Sequence, residues 1–379
     1  LAISRADRSS ASPALAPALV ERTLLLLAGV FLAANTLALS LNGSPGRDWL
    51  PFAVWTVCAV AGHLWLSRRM HWRDPLIFPL AMFMSGWGLL IIERLTPFFA
   101  ERQMIWLAIG VVAMMTVASL PGLLRSLRAY RYTLLLFGLA LLVATILLGT
   151  NPSGQAGAPE LWLGFGAFFV QPSEILKIIL VVFLASYLGE QYPMLRALQT
   201  RTGRRIAGLS PRILGPIFAM WGLSVVILIW QRDLGTATLF FIVFLLLLYV
   251  ASGFTWLLAG GAVLIVIAGV VAYTLFDVVQ LRVDIWLNPW PEADNRAFQI
   301  VQSLFAFASG GVFGAGIGRG SPGFIPVVHS DFIFAALAEE WGLLGVIALI
   351  LSVAILVTRS LRVAAQLSRK PYLSLLATG

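Results

Sequence analysis

Predominantly apolar runs of eighteen residues or more recur along this chain, and they constrain the fold more than any other feature. A run of that length matches the hydrocarbon thickness of a bilayer when wound as an α-helix, and it is too long for a core strand. Hydrophobic residues make up 59% of the chain and charged residues 11%. A soluble domain is about one quarter charged, so the sequence predicts an all-α integral membrane protein. Its one cysteine, Cys58, can form no internal disulfide and makes no metal site by itself.

The runs divide into ten spans: about 21–41, 50–66, 75–93, 103–120, 132–149, 171–188, 213–230, 234–251, 255–276 and 331–357. The first is long for a signal-peptide core and is read as a span. A tail of about 20 residues precedes them, and residues 358–379 form a second tail. Between spans 9 and 10 lies a long polar excursion, 277–330. An even number of spans places both termini on one side. That side collects 18 of the 26 Lys and Arg residues, so the termini are expected to be cytoplasmic and the excursion extracytoplasmic. The net charge of +9 therefore reports topology rather than nucleic-acid binding.

Loops of this length are usually functional or disordered, and the aromatic and aliphatic content of 277–330 argues against disorder. Glu292 and Asp294 lie there after the stretch Asn288-Pro289-Trp290-Pro291. Two carboxylates so placed are either solvated loop acids or, if one is shielded, a general base. The glycine series 310–323 is expected to be flexible and turn-rich. Its backbone N–H groups could cradle an anion, with Arg319 adding charge. In span 10, Asp331, Ala335 and Glu339 recur every four residues and share a helical face, with Glu339 about 12 Å below Asp331. Glu340 points about 100° away from that face.

Other charges lie in or beside the spans. Glu174 and Lys177 are three apart on span 6 and are expected to pair or to line a cavity. Asp233 is placed to cap the helix that follows it or to stand at a cavity mouth. Arg94 and Arg102, beside Glu93 and Glu101, flank the outer turn between spans 3 and 4. They form an interfacial ion network or bind a lipid phosphate.

Ordered motifs then identify a resemblance. Gln171-Pro172-Ser173-Glu174 with Lys177, Asp233-Leu234-Gly235-Thr236 and Asn288-Pro289-Trp290 come first. Gln299 to Ser303, Gly310-Gly311 with Gly314 and Gly316, and His329-Ser330-Asp331-Phe332-Ile333-Phe334-Ala335 with Glu339-Glu340 follow. Together they resemble the SEDS family (shape, elongation, division and sporulation), the group of RodA, FtsW and SpoVE. The stretch from Ile300 to Gly311, followed by that from Arg319 to Ala335, is similar to the elongation-type, RodA-like members.

The resemblance implies ten spans with cytoplasmic termini in the bacterial inner membrane. It also implies polymerisation of lipid II, with loss of undecaprenyl pyrophosphate and inversion, in cell elongation or division. The implied partner is a class B penicillin-binding protein, and no nucleic acid is involved. Glu292 or Asp294 would be the catalytic base. Arg94, Arg102, Trp162, Glu174, Lys177, Asp233, Gln302, Ser303, Arg319, His329, Asp331 and Glu339 would form the substrate site. A divalent cation such as Mg2+ or Mn2+ would assist, although no ligand cluster is evident.

Three departures stand out. Arg232 replaces a proline before Asp233. Gly157-Ala158-Pro159-Glu160-Leu161-Trp162 replaces a more basic loop. Glu292 occupies the position where the family carries an essential aspartate, six residues before Phe298. Two other functions remain open at this point, a lipid II flippase and a non-catalytic scaffold for a penicillin-binding protein.

Overall fold

A computed structural model describes residues 17–42, 49–70, 73–151, 160–165, 168–201 and 233–379, together with positions 215, 222, 226 and 229. The seventh expected span, Arg232 and positions 157–159 lie almost wholly outside the described residues.

Among the described residues, nine helices are long and apolar enough to cross a membrane. They are α1 (Pro17–Leu41), α2 (Trp49–Arg69), α3 (Ile77–Leu95), α4 (Pro97–Ser119), α6 (Arg131–Leu148), α7 (Pro172–Arg201), α8 (Leu234–Ser252), α9 (Trp256–Leu275) and α13 (Ile333–Gln366). A short helix, α5 (Pro121–Ala129), joins α4 to α6, and three more, α10 (Asp277–Leu287), α11 (Phe298–Gly310) and α12 (Val328–Asp331), occupy the long excursion. The chain ends in α14 (Pro371–Thr378). One departure from an all-helical fold is a small antiparallel hairpin, β1 (Leu163–Phe165) with β2 (Phe168–Val170), in the loop before α7.

The chain divides into two compact units, the first comprising Leu1–Ser119 with Val278–Arg359 and the second Leu120–Asp277 with Ser360–Gly379. The first is built around Leu25 and Leu32 of α1, Trp55 of α2, Met82 and Trp87 of α3, Met104 of α4 and Leu337 of α13. Several polar groups inside it are matched, although the buried Trp87 indole N–H has no partner. The Trp55 indole donates to the Met82 carbonyl at 2.7 Å, and the Trp341 indole donates to Asn35 Oδ1 at 3.1 Å. Near the start of α1, the fully buried Glu21 carboxylate holds His63 at 2.7 Å and Arg73 at 2.5 Å. A buried carboxylate is tolerable only when it is paired and hydrogen-bonded in this way.

The second unit packs Leu135 and Leu142 of α6, Phe183 and Leu184 of α7, and Phe240 and Phe244 of α8. Gly138 has no side chain to keep Leu176 and Ile179 away, and the α6–α7 contact closes over it. Helix α7 outruns its expected end at 188 and continues through Pro193 to Arg201. The second tail is helical too: α14 seats Tyr372 and Leu375 in the same core, and the Tyr372 hydroxyl donates to the Leu124 carbonyl at 2.9 Å.

Candidate active site

In the first unit the excursion is an ordered structure. After α10 the chain makes a single 3-10 turn, Trp290–Glu292. Pro289 and Pro291 suit such a turn because their φ is already set near its value. The turn fixes Glu292 by its backbone: its N–H donates to the Pro289 carbonyl at 3.2 Å. Its carbonyl accepts from Asn295 and from Ala297, both at 3.0 Å. Ala297 is fully buried and, with Ile285 and Val301, forms the small core on which α11 starts. The Glu292 side chain is half-buried and lies 3.6 Å from Arg296 Nε. Asp294, two residues on, is exposed. Only Glu292 thus combines partial shielding with an anchored backbone.

Gln299 reaches across the loop and donates to the Pro326 carbonyl at 2.6 Å. Gln302 is half-buried. Ser303 is buried, and its hydroxyl donates back to the Ile300 carbonyl of its own helix at 2.6 Å.

The glycine series departs most from expectation. Helix α13 breaks at Gly342, whose φ is +67°. The break leaves backbone carbonyls without helical partners, and the glycine loop supplies them. Ala315 N–H donates to the Glu339 carbonyl at 2.9 Å and Gly316 N–H to the Glu340 carbonyl at 3.0 Å. The two side chains bind the same loop. Glu339 accepts from Ser321 N–H at 2.7 Å, and Glu340 accepts from Gly318 N–H at 3.1 Å and from Arg94 Nε at 3.3 Å. Arg94 also donates to the Gly320 carbonyl at 3.2 Å. The loop does cradle an anion, and that anion is the protein's own pair of carboxylates. A Cβ at Gly310 or Gly314 would collide with the backbone of Ala338 or Glu340, so the glycines serve close approach rather than flexibility.

Two expectations need correction. Asp331 and Glu339 do not share a helix, because the backbone turns at Phe332 (φ −129°, ψ 28°) and Asp331 ends the separate one-turn α12. Asp331 is exposed and accepts from the Ser330 hydroxyl at 3.0 Å, whereas Glu339 is buried. Glu340, set aside by its angle on an ideal helix, is the buried partner of Arg94. A glycine two residues beyond it was the available sign that ideal periodicity would fail there.

Near the turn between α3 and α4, Arg102 stacks over the Phe98 ring at 4.8 Å and His329 stacks on Phe99 at 4.9 Å. The sequence reading missed both phenylalanines. Arg319 is exposed.

The second unit holds the other candidates. Lys177 Nζ lies 2.7 Å from Glu174 Oε2 on α7. Asp233 caps α8, accepting from Thr236 N–H at 3.1 Å. Half-buried Trp162 pairs its backbone with Thr150, whose N–H donates to the Trp162 carbonyl at 2.8 Å. Among the described residues, no three of His, Cys, Asp and Glu converge as ligands of a metal ion. The described residues therefore do not by themselves make a cage for a divalent cation.

A family profile described as cell cycle protein, covering FtsW, RodA and SpoVE, matches residues 74–379. The peptidoglycan glycosyltransferase RodA of Mycobacterium bovis is 36% identical over 377 residues, covering 95% of this chain and 79% of that protein. Stage V sporulation protein E of Bacillus subtilis is 32% identical over 274 residues, covering 70% of this chain and 69% of its own length. A solved structure of a peptidoglycan synthase complex contains a chain with the same fold. Its TM-score is 0.53 at 20% identity, over 96% of this chain and 81% of that one. This multi-pass chain of the bacterial inner membrane belongs to the FtsW, RodA and SpoVE family, the SEDS proteins, as a RodA-like member.

Proposed function

We propose that the protein is a peptidoglycan glycosyltransferase that polymerises lipid II on the outer face of the membrane, in cell elongation. The supporting observation is 36% identity, across 95% of the chain, to a protein of that name. In this reaction the 4-hydroxyl of an acceptor GlcNAc attacks C1 of the donor MurNAc. Undecaprenyl pyrophosphate leaves with the bonding electron pair, and the new link is inverted. Glu292 takes the acceptor proton: it stands in the family's aspartate register, half-buried on a fixed turn. A positioned carboxylate in that role contributes ~10²–10⁴-fold. Arg102, in the same unit as Glu292, carries positive charge suited to the departing pyrophosphate. Arg94 takes a different part, because it is bound to Glu340. Mg2+ usually binds through one or two carboxylates plus substrate phosphates, so a cation arriving with the pyrophosphate requires no protein cage.

The termini are cytoplasmic in this scheme, and a class B penicillin-binding protein crosslinks the product. The test is polymerisation of labelled lipid II by the purified protein, with and without a cognate penicillin-binding protein. Glycan strands that form in its presence and vanish with Glu292→Gln support the proposal. Transbilayer movement of lipid II without polymer would favour a flippase. Polymer that survives loss of both outer acids would favour a scaffold.

A further inference from the structure

The excursion that carries Glu292 exposes a group of large apolar side chains. Trp286 is 76% exposed, Leu287 69%, Trp290 58% and Phe305 53%. They belong to one local assembly. Ile285 of α10 packs on Ala297 and Val301 of α11, and the Trp290 and Phe305 rings lie 6.5 Å apart. Helix α11 turns Val301, Ser303, Ala306 and Gly310 inward and leaves its other face uncovered.

The position of this assembly along the membrane normal follows from α13. Arg359, near the inner end of that helix, pairs with Asp74 at 3.3 Å. Twenty residues of helix span roughly 30 Å, the thickness of the hydrocarbon core. From Arg359 the unbroken part of α13 runs back to the break at Gly342, about 25 Å of helix at ~1.5 Å per residue, and Glu339 and Glu340 lie just beyond that break. Gly310, the last residue of α11, lies against the Ala338 and Glu339 backbone. The end of α11 therefore stands at the outer edge of the hydrocarbon core. At the other end of the assembly, Phe276 alone separates span α9 from α10. Tryptophan is the residue that settles at such a boundary, with its ring in the apolar layer and its N–H at the headgroups.

We propose that Trp286, Leu287, Trp290 and Phe305 form an interfacial anchor that seats the Glu292 turn in the outer leaflet. Trp290 and Glu292 occupy the same 3-10 turn. The depth of the indole sets the height of the carboxylate above the hydrocarbon, which is the level where a lipid-linked pyrophosphate lies. The four residues are positioning residues and touch no reacting atom. This inference rests on the proposed glycosyl transfer for its kinetic consequence only, since the seating is measurable without turnover.

The experiment uses the full chain with Cys58→Ala and a nitroxide attached at Asn295→Cys, in phosphatidylethanolamine–phosphatidylglycerol vesicles. Relaxation by oxygen and by a water-soluble nickel chelate gives the depth of the label. In the parent the label is expected at headgroup level. The change Trp286→Ser/Trp290→Ser moves it toward water, and Trp286→Tyr/Trp290→Tyr does not. The serine variant slows polymerisation of full-length lipid II in vesicles by tenfold to about a hundredfold, the range that a small misplacement costs. The same variant turns over a short-chain, detergent-dispersed lipid II analogue at the parental rate. Single Trp286→Ser supplies the depth measurement if the double variant does not insert. A parental label freely accessible to the nickel chelate overturns the proposal. So does an unchanged depth in the serine variants, or shielding that arises only when a penicillin-binding protein is added. Failure of polymerisation in every variant, parent included, with the depth shift intact, would instead refute the glycosyltransferase assignment.

Discussion

Glu340 Oε1 lies 3.3 Å from Arg94 Nε, with the Glu340 side chain 3% exposed and the Arg94 side chain 27% exposed. The two residues are 246 positions apart in the chain. Between them they hold the loop 314–321, because Glu340 also accepts from Gly318 N–H and Arg94 donates to the Gly320 carbonyl. Removing one partner of a buried pair leaves the other uncompensated, at a cost of ~3–5 kcal/mol for full burial. The partial exposure of Arg94 reduces that figure here. Glu340→Ala is expected to lower the melting midpoint in detergent and to make the loop cleavable by protease. Arg94→Lys should not restore stability, because one ammonium cannot reproduce the guanidinium fork that reaches both acceptors. Wild-type protease resistance in Glu340→Ala would show that the pair does not hold the loop.

Gly314 has φ +82°, and a Cβ there would strike the Glu340 carbonyl. The left-handed backbone alone costs a residue with a side chain ~1–2 kcal/mol, and the collision adds to it. Gly314→Ala should therefore destabilise the protein measurably. Gly323→Ala is the control, since nothing lies within 4 Å of its Cβ position. The comparison is a pair of melting curves, with a shift expected for the first substitution only.

The base is tested by single-turnover rates for Glu292→Gln, Asp294→Asn and the double change. Glu292→Gln is expected to slow transfer by ~10²–10⁴-fold while lipid II binding and membrane insertion persist. Asp294→Asn, at an exposed position, is expected to have the smaller effect. A double variant with the wild-type rate would exclude both.

Lys177 and Glu174 form an ion pair at 2.7 Å near the start of α7. If Lys177 meets the leaving pyrophosphate, Lys177→Met lowers the polymerisation rate. Glu174→Gln/Lys177→Met, which leaves no lone charge behind, should still fold and insert. Full activity in both single variants would reduce the pair to a structural role.

Orientation is tested by Ser321→Cys in a Cys58→Ala background, labelled in intact cells with an impermeant thiol reagent. Ser321 is exposed, and only its backbone N–H binds Glu339, so the substitution preserves the loop. Labelling without permeabilisation is expected. Labelling only after permeabilisation would place residues 277–330 on the cytoplasmic side.

The sequence by itself determined what bilayer physics and local geometry control. Spans such as α1, α3, α6, α8 and α9 follow from stretches of about twenty predominantly apolar residues, and their observed ends fall within a few residues of expectation. The Asp233 cap and the Glu174–Lys177 pair were equally legible, because each is an interaction three residues long. Tertiary structure alone decided the rest. The turn at Phe332 and the break at Gly342 interrupt the period that placed Asp331 and Glu339 on one face and turned Glu340 away. The glycine loop is ordered because carbonyls freed by that break, two adjacent carboxylates and an arginine from a distant helix meet there. A four-residue spacing carries no record of a partner 246 residues away, since such a contact exists only once the helices have packed.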